Sequence, residues 1–109
     1  MSRPFSYNDE NFTVIGNILF LHIKITRKYN MGSNIVEIPQ AIHDRLCNKS
    51  KNVQITSNRD NDNNNSIFWL DISTKKDIDG KYYFYSCTEN ITDHYVGFYL
   101  VAWFYLKDI

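Results

Sequence analysis

Residues 95–106 (YVGFYLVAWFYL) form a run of 12 with no charged side chain. The run is too short to cross a bilayer as a helix, which takes about 18 to 20 residues. Tyr95, Val96, Phe98, Tyr99 and Val101 disfavour a helix and fit a pleated strand. Read as a strand over residues 95–107, one face carries Tyr95, Tyr99, Val101, Trp103 and Tyr105. The other carries Val96, Phe98, Leu100, Ala102, Phe104 and Leu106. A strand with one wet face alternates apolar with polar, whereas this one is apolar on both. Either it runs through the middle of a two-layer structure or another subunit covers one face. A chain of 109 residues offers few central strand positions, so the tyrosine-bearing face is expected to be an interface.

The rest of the chain points to the same class. Only two alanines and three glutamates are present, too few for several solvated helices, while Ile, Phe, Tyr, Val and Trp supply the apolar side chains. Residues 14–26 read as one long strand. Ile15, Leu19, Leu21, Ile23 and Ile25 share a face, and Gly16 marks a bulge or bend. A short strand at 35–38 precedes Pro39, which suits the first position of a helix. Ile42 and Leu46 stand four apart, so one short helix is expected near residues 39–47. Strands follow around 53–57 and 67–73, separated by the polar segment 58–66 (NRDNDNNNS), read as a loop. Asp79-Gly80 signals a hairpin into a strand over 81–88, and residues 89–93 connect to the last strand. The predicted fold is mainly β: an antiparallel β-sandwich or partly open barrel with one short helix. Residues 1–12 are expected to be an N-terminal arm and 13–109 a single β domain. Phe5, Tyr7 and Phe12 lie in that arm and are expected to dock on the body or a neighbour, completing the interface set.

The formal charge balance is zero, 12 basic against 12 acidic residues, which removes the usual electrostatic route to nucleic acid and to anionic membranes. The opening MSRPFSYNDENF lacks the order of a secretion signal, so a cytoplasmic setting is expected outside a virion. Asp60, Asp62, Asn64, Ser66 and Asp71 fall at positions 1, 3, 5, 7 and 12 of a calcium-loop template. Asn65 stands where that template needs glycine, and the flanks read as strands, so a solvated hairpin loop is the preferred reading. His22, His43, His94, Cys47 and Cys87 contain no close pair of the kind zinc sites use. Two cysteines define no disulfide framework. A trio of Cys87, Asp93 and His94 lacks a nucleophile turn, and the four glycines are too scattered for a phosphate loop. The chain is read as no enzyme, with no catalytic residue, no metal and no cofactor. Trp69 with Tyr82-Tyr83-Phe84-Tyr85 offers an aromatic platform for sugar, against which packing is the preferred reading.

Asn and Ile occur 13 times each while Ala, Gly, Pro and Arg are scarce, a bias toward A/T-rich codons. The opening RPFSYNDENFTVIGNILFLHI, a polar aromatic arm leading straight into a strand, resembles small virion proteins of tailed phages that infect low-GC gut bacteria. The likeness is to capsid-decorating and head-fibre components of crAss-like phages, over about the first 25 residues. The resemblance implies a small β protein of the virion that assembles with copies of itself and with other virion proteins. A carbohydrate-binding module and a small inhibitor of a host protein are the alternatives. Because residues 58–66 lack core side chains, deleting Asn61–Asn64 should leave the melting temperature nearly unchanged. Loop-closure cost varies by only about 0.6 kcal/mol per doubling of length, and thermal unfolding followed by circular dichroism checks this.

Overall fold

The computed structural model describes residues 5–25, 34–59, 65–87 and 95–108. Eight strands and one short helix follow in the order β1 (Tyr7–Asn8), β2 (Phe12–Ile15), β3 (Ile18–Ile25), β4 (Asn34–Ile38), α1 (Gln40–His43), β5 (Ser50–Arg59), β6 (Asn65–Lys76), β7 (Tyr82–Ser86) and β8 (Tyr95–Tyr105). All pairings are antiparallel and run β1-β2-β3-β8-β5-β6-β7-β4. The architecture is therefore mainly β with one short helix, as the sequence predicts, and the barrel does not close.

The sheet folds over between β8 and β5. Strand β8 pairs with β3 along eight residues, from Ile18↔Tyr105 to Ile25↔Phe98. It pairs with β5 only near its own start, at Thr56↔Tyr99, Ser57↔Phe98 and Arg59↔Tyr95. Beyond Tyr99 the two strands separate. One half, β1-β2-β3-β8, then faces the other, β5-β6-β7-β4, across a shared core, which gives two sandwich-like layers. Phe84 of β7 joins them: its ring centroid lies 5.1 Å from that of Phe104 on β8 and 6.3 Å from that of Phe12 on β2. Leu19, Leu21, Leu100 and Ala102 complete the first inner face, and Val53, Leu70, Ile72, Ile35 and Ile38 the second.

Local chemistry explains the punctuation. Residues 14–26 are not one strand. Gly16-Asn17 makes a two-residue hairpin turn, with Gly16 at φ 60° and Ile15 paired to Ile18. Gly-Asn between paired strands is a hairpin signal, because such turns need positive φ to match the twist of the strands. The turn reverses the chain and leaves Ile15 exposed, rather than on the inner face with Leu19. The Asp79-Gly80 hairpin forms as expected: Gly80 has φ 82° and donates to the Asp77 carbonyl at 2.9 Å.

Over their described part, residues 5–12 dock on the body, one of the two placements expected for them: β1 pairs with β2 and Phe12 is fully buried in the core. Asp9 fixes the turn between them by accepting from the backbone N–H groups of Asn11 and Phe12 at 2.8 and 2.7 Å. The helix is a single turn, with Pro39 just before it rather than at its first position. It ends early because Leu46 is drawn into a β-bridge with Leu106, while Cys47 N–H donates to the Tyr105 carbonyl and Lys107 N–H to the Arg45 carbonyl. Ile42 and Leu46 are both buried, so the amphipathic spacing is used although the helix is short.

Replacing Phe84 with Ala removes the ring that touches both layers. The change should cost about 3 to 5 kcal/mol, measured as a lower urea midpoint at unchanged slope.

Candidate functional site

The alternation read from residues 95–106 is realised on β8. Leu100, Ala102, Phe104 and Leu106 are buried, whereas Tyr99, Val101, Trp103 and Tyr105 are 53, 57, 44 and 52% exposed. Strand register places β3 residues opposite each of the exposed four: Lys24 by Tyr99, His22 by Val101, Phe20 by Trp103 and Ile18 by Tyr105. Phe20 is also an exposed large side chain. The outer face of β3 and β8 is therefore an apolar and aromatic surface in which rings brace one another. Trp103 and Tyr105 meet edge to face at 5.0 Å, and His22 stacks beside Tyr99 at 6.3 Å.

Two cations sit against these rings. Lys24 Nζ is 5.8 Å from the Tyr99 centroid and Lys51 Nζ is 3.7 Å from that of Trp103, both within cation–π range. Lys51 belongs to β5, at the level where β5 has already left β8. Its ammonium donates to the Trp103 carbonyl oxygen, an acceptor on the edge that β5 no longer covers. Burial pushes the Lys51 pKa down from its ordinary value. No Asp or Glu occurs in the sequences of β2, β3 or β8, so the face carries cations without carboxylates.

Of the interface residues expected from sequence, Tyr99, Val101, Trp103 and Tyr105 are brought together here. The side chain of Tyr95 lies outside the described residues. Phe5 and Tyr7 pack partly buried against the core, and Phe12 lies within it, so these three serve the chain's own interior. Arg45 stacks over the Phe5 ring at 4.0 Å, which fastens the start of the described chain to the segment after α1. Phe20 was missed, because a strand that stays polar toward its end disguises one apolar position. Its i, i+2 relation to Ile18 was the available signal.

The remaining candidates do not converge. Asp60, Asp62 and Asn64 of the calcium template lie outside the described residues. The backbone forms strand as far as Arg59 and again from Asn65, so Asn58, Arg59, Asn65 and Ser66 are strand where a loop was expected. Ser66 lies within β6, and Asp71, five residues further along the same strand, accepts from the Asn52 side chain. Among the described residues no group of three His, Cys, Asp or Glu is placed to hold a metal. Asp93 and His94 also lie outside them, and Cys87 N–H donates to the Asp71 carbonyl at 2.7 Å.

The sugar platform of Trp69 with Tyr82, Tyr83, Phe84 and Tyr85 is not assembled. Phe84 is buried, Tyr82 stacks on His43 at 3.7 Å, and the Tyr83 hydroxyl donates to Asp79, which raises its pKa to about 12. Lys75 Nζ lies 5.1 Å from the Tyr85 centroid. Trp69 is 58% exposed on the outer face of β6, against the expectation that it packs. Its neighbour Leu70 is fully buried, so the alternation along the strand turns Trp69 outward, and no second layer lies outside it among the described residues.

His43 is the one buried histidine among the described residues. Burial lowers its pKa, with the Lys49 charge adding to the effect and Asp44 opposing it. The Asp44 carboxylate is 3.8 Å from Nδ1, beyond hydrogen-bonding distance. The unfolded chain therefore takes up this proton at a higher pH than the folded chain does. Stability should be complete above the ordinary histidine value of 6.5 and fall as the pH drops below it. A His43→Phe variant should lose that slope in urea unfolding followed across the same pH range.

No family model matches the chain, and neither the curated proteins nor the solved structures contain a match. No helix among the described residues is long and apolar enough to cross a membrane. What the fold defines is a class: a small two-layer antiparallel β domain whose most distinctive surface is a carboxylate-free aromatic sheet face.

Proposed function

We propose that this protein is a non-enzymatic structural protein that works by assembling with copies of itself through the outer face of β3 and β8. One observation carries the reading. Tyr99, Val101, Trp103 and Tyr105 remain about half exposed while every residue between them is buried. Large contiguous apolar patches are rarely left exposed on monomers and mark interaction surfaces. Tyr, Trp and Phe are the residue types that interfaces favour, since they bury large area around a polar tip. The setting we propose is a virion, as a capsid-decorating, head-fibre or tail component that also docks on a neighbouring virion protein. The support for that setting is the likeness of the opening residues to phage head components.

Sedimentation velocity tests the assembly reading. The wild-type protein should sediment as an oligomer at high micromolar concentration, and Tyr99→Ser/Trp103→Ser should shift it to monomer. Both changes lie at exposed positions, so unfolding should move by much less than for Phe84→Ala. A wild-type monomer at that concentration overturns the proposal.

A further inference from the structure

The face on β3 and β8 is poorly suited to meet its own copy. It carries Lys24, with Lys51 at its rim, and its three strands supply no carboxylate. A symmetric contact between two such faces offers the cations of neither copy a partner charge. The complementary chemistry is found on the other half of the molecule. Strand β6 presents Trp69, 58% exposed, and two residues along the same outer face the exposed Asp71 carboxylate. Asn52, opposite Asp71 on β5, donates to that carboxylate and orients it. The β5–β6 surface thus offers an aromatic ring beside an acid, with Lys75 four residues beyond Asp71 held over the Tyr85 ring, where the β3–β8 surface offers aromatic rings beside cations.

Resting on the assembly reading above, we infer that the contact is heterologous: the β3–β8 face of one copy seats on the Trp69–Asp71 surface of a second copy. Trp69 of one copy packs among Phe20, Tyr99 and Trp103 of the next, and Asp71 meets Lys24. After a contact forms, the pair keeps one unused surface of each kind, one on each copy. Assembly therefore continues until a ring closes or a filament grows, rather than stopping at a two-fold dimer.

Mixing two variants, each damaged on one surface, decides the matter. Tyr99→Ser/Trp103→Ser removes the β3–β8 face, and Trp69→Ser/Asp71→Lys removes the other. Each variant alone should sediment as a folded monomer, with circular dichroism as the check on folding. An equal mixture should form a dimer containing one of each, because one intact surface of each kind remains. If the Trp69→Ser/Asp71→Lys variant still dimerises by itself, the contact is symmetric; the inference fails and the assembly reading stands. If the wild-type protein is monomeric, both fail.

A charge exchange gives an independent measurement that keeps Trp69 in place. Lys24→Glu should weaken wild-type association by about tenfold, and Lys24→Glu/Asp71→Lys should recover most of the loss, as expected for a direct pair across a contact. Equal weakening in the single and double variants overturns the pairing.

Discussion

When β5 turns away from β8 beyond Tyr99, a central strand acquires an uncovered edge, and much of the remaining structure answers that constraint. Backbone carbonyls left without partners in a folded interior are costly. Here they are met in sequence by unlike groups. The Lys51 ammonium takes the Trp103 carbonyl, and the Cys47 N–H takes that of Tyr105. The segment after α1 is recruited as a substitute strand through the Leu46–Leu106 bridge. That recruitment cuts the helix to a single turn and seats Ile42 and Leu46 in the core. The separation also lets Phe84 reach both Phe12 and Phe104, since two halves of a flat sheet could not present rings to one another.

The same constraint shapes the surface. Strand β8 is central in the hydrogen-bonded order, yet among the described residues only its inner face has a second layer. Its outer face inherits aromatic residues without a cover, and Lys51 arrives against Trp103 because it is already stationed at the edge. The cationic, acid-free character of that face thus follows partly from how the fold mends its own backbone.

How much of this was legible beforehand varies with the physics involved. Alternation with period two was decisive wherever one face met a core: β8 from Tyr99 onward and β6 from Trp69 to Ile72 alternate exposed with buried residues. It failed at Gly16-Asn17, where apolar residues on both sides of the turn keep the alternation going and hide the reversal. The burial of Phe12 was hidden by its polar neighbours, because Asp9 bonds locally to the backbone and lets a hydrophilic segment hug the body. Helix length was misjudged because the bridge at Leu46 is a long-range contact that no local propensity encodes. For the candidate site, exposed Tyr99, Val101, Trp103 and Tyr105 were readable from β8 alone. Phe20 and the two lysines depend on which strands lie alongside, information held in register and not in any single segment.

The position of β8 in the chain has a consequence for how the protein is made. The strand that joins the halves is the last of the eight in sequence, and its pairings reach back to Ile18 and Thr56. As the polypeptide leaves the ribosome, β3 and β5 emerge early with apolar side chains and raw edges, and their common partner is still untranslated. Pairings this remote close slowly, and waiting edges are prone to stick to one another. The nascent protein therefore passes through a vulnerable interval whose length is set by the translation of residues 59–105, and it ends when Tyr95–Tyr105 slots between the two strands.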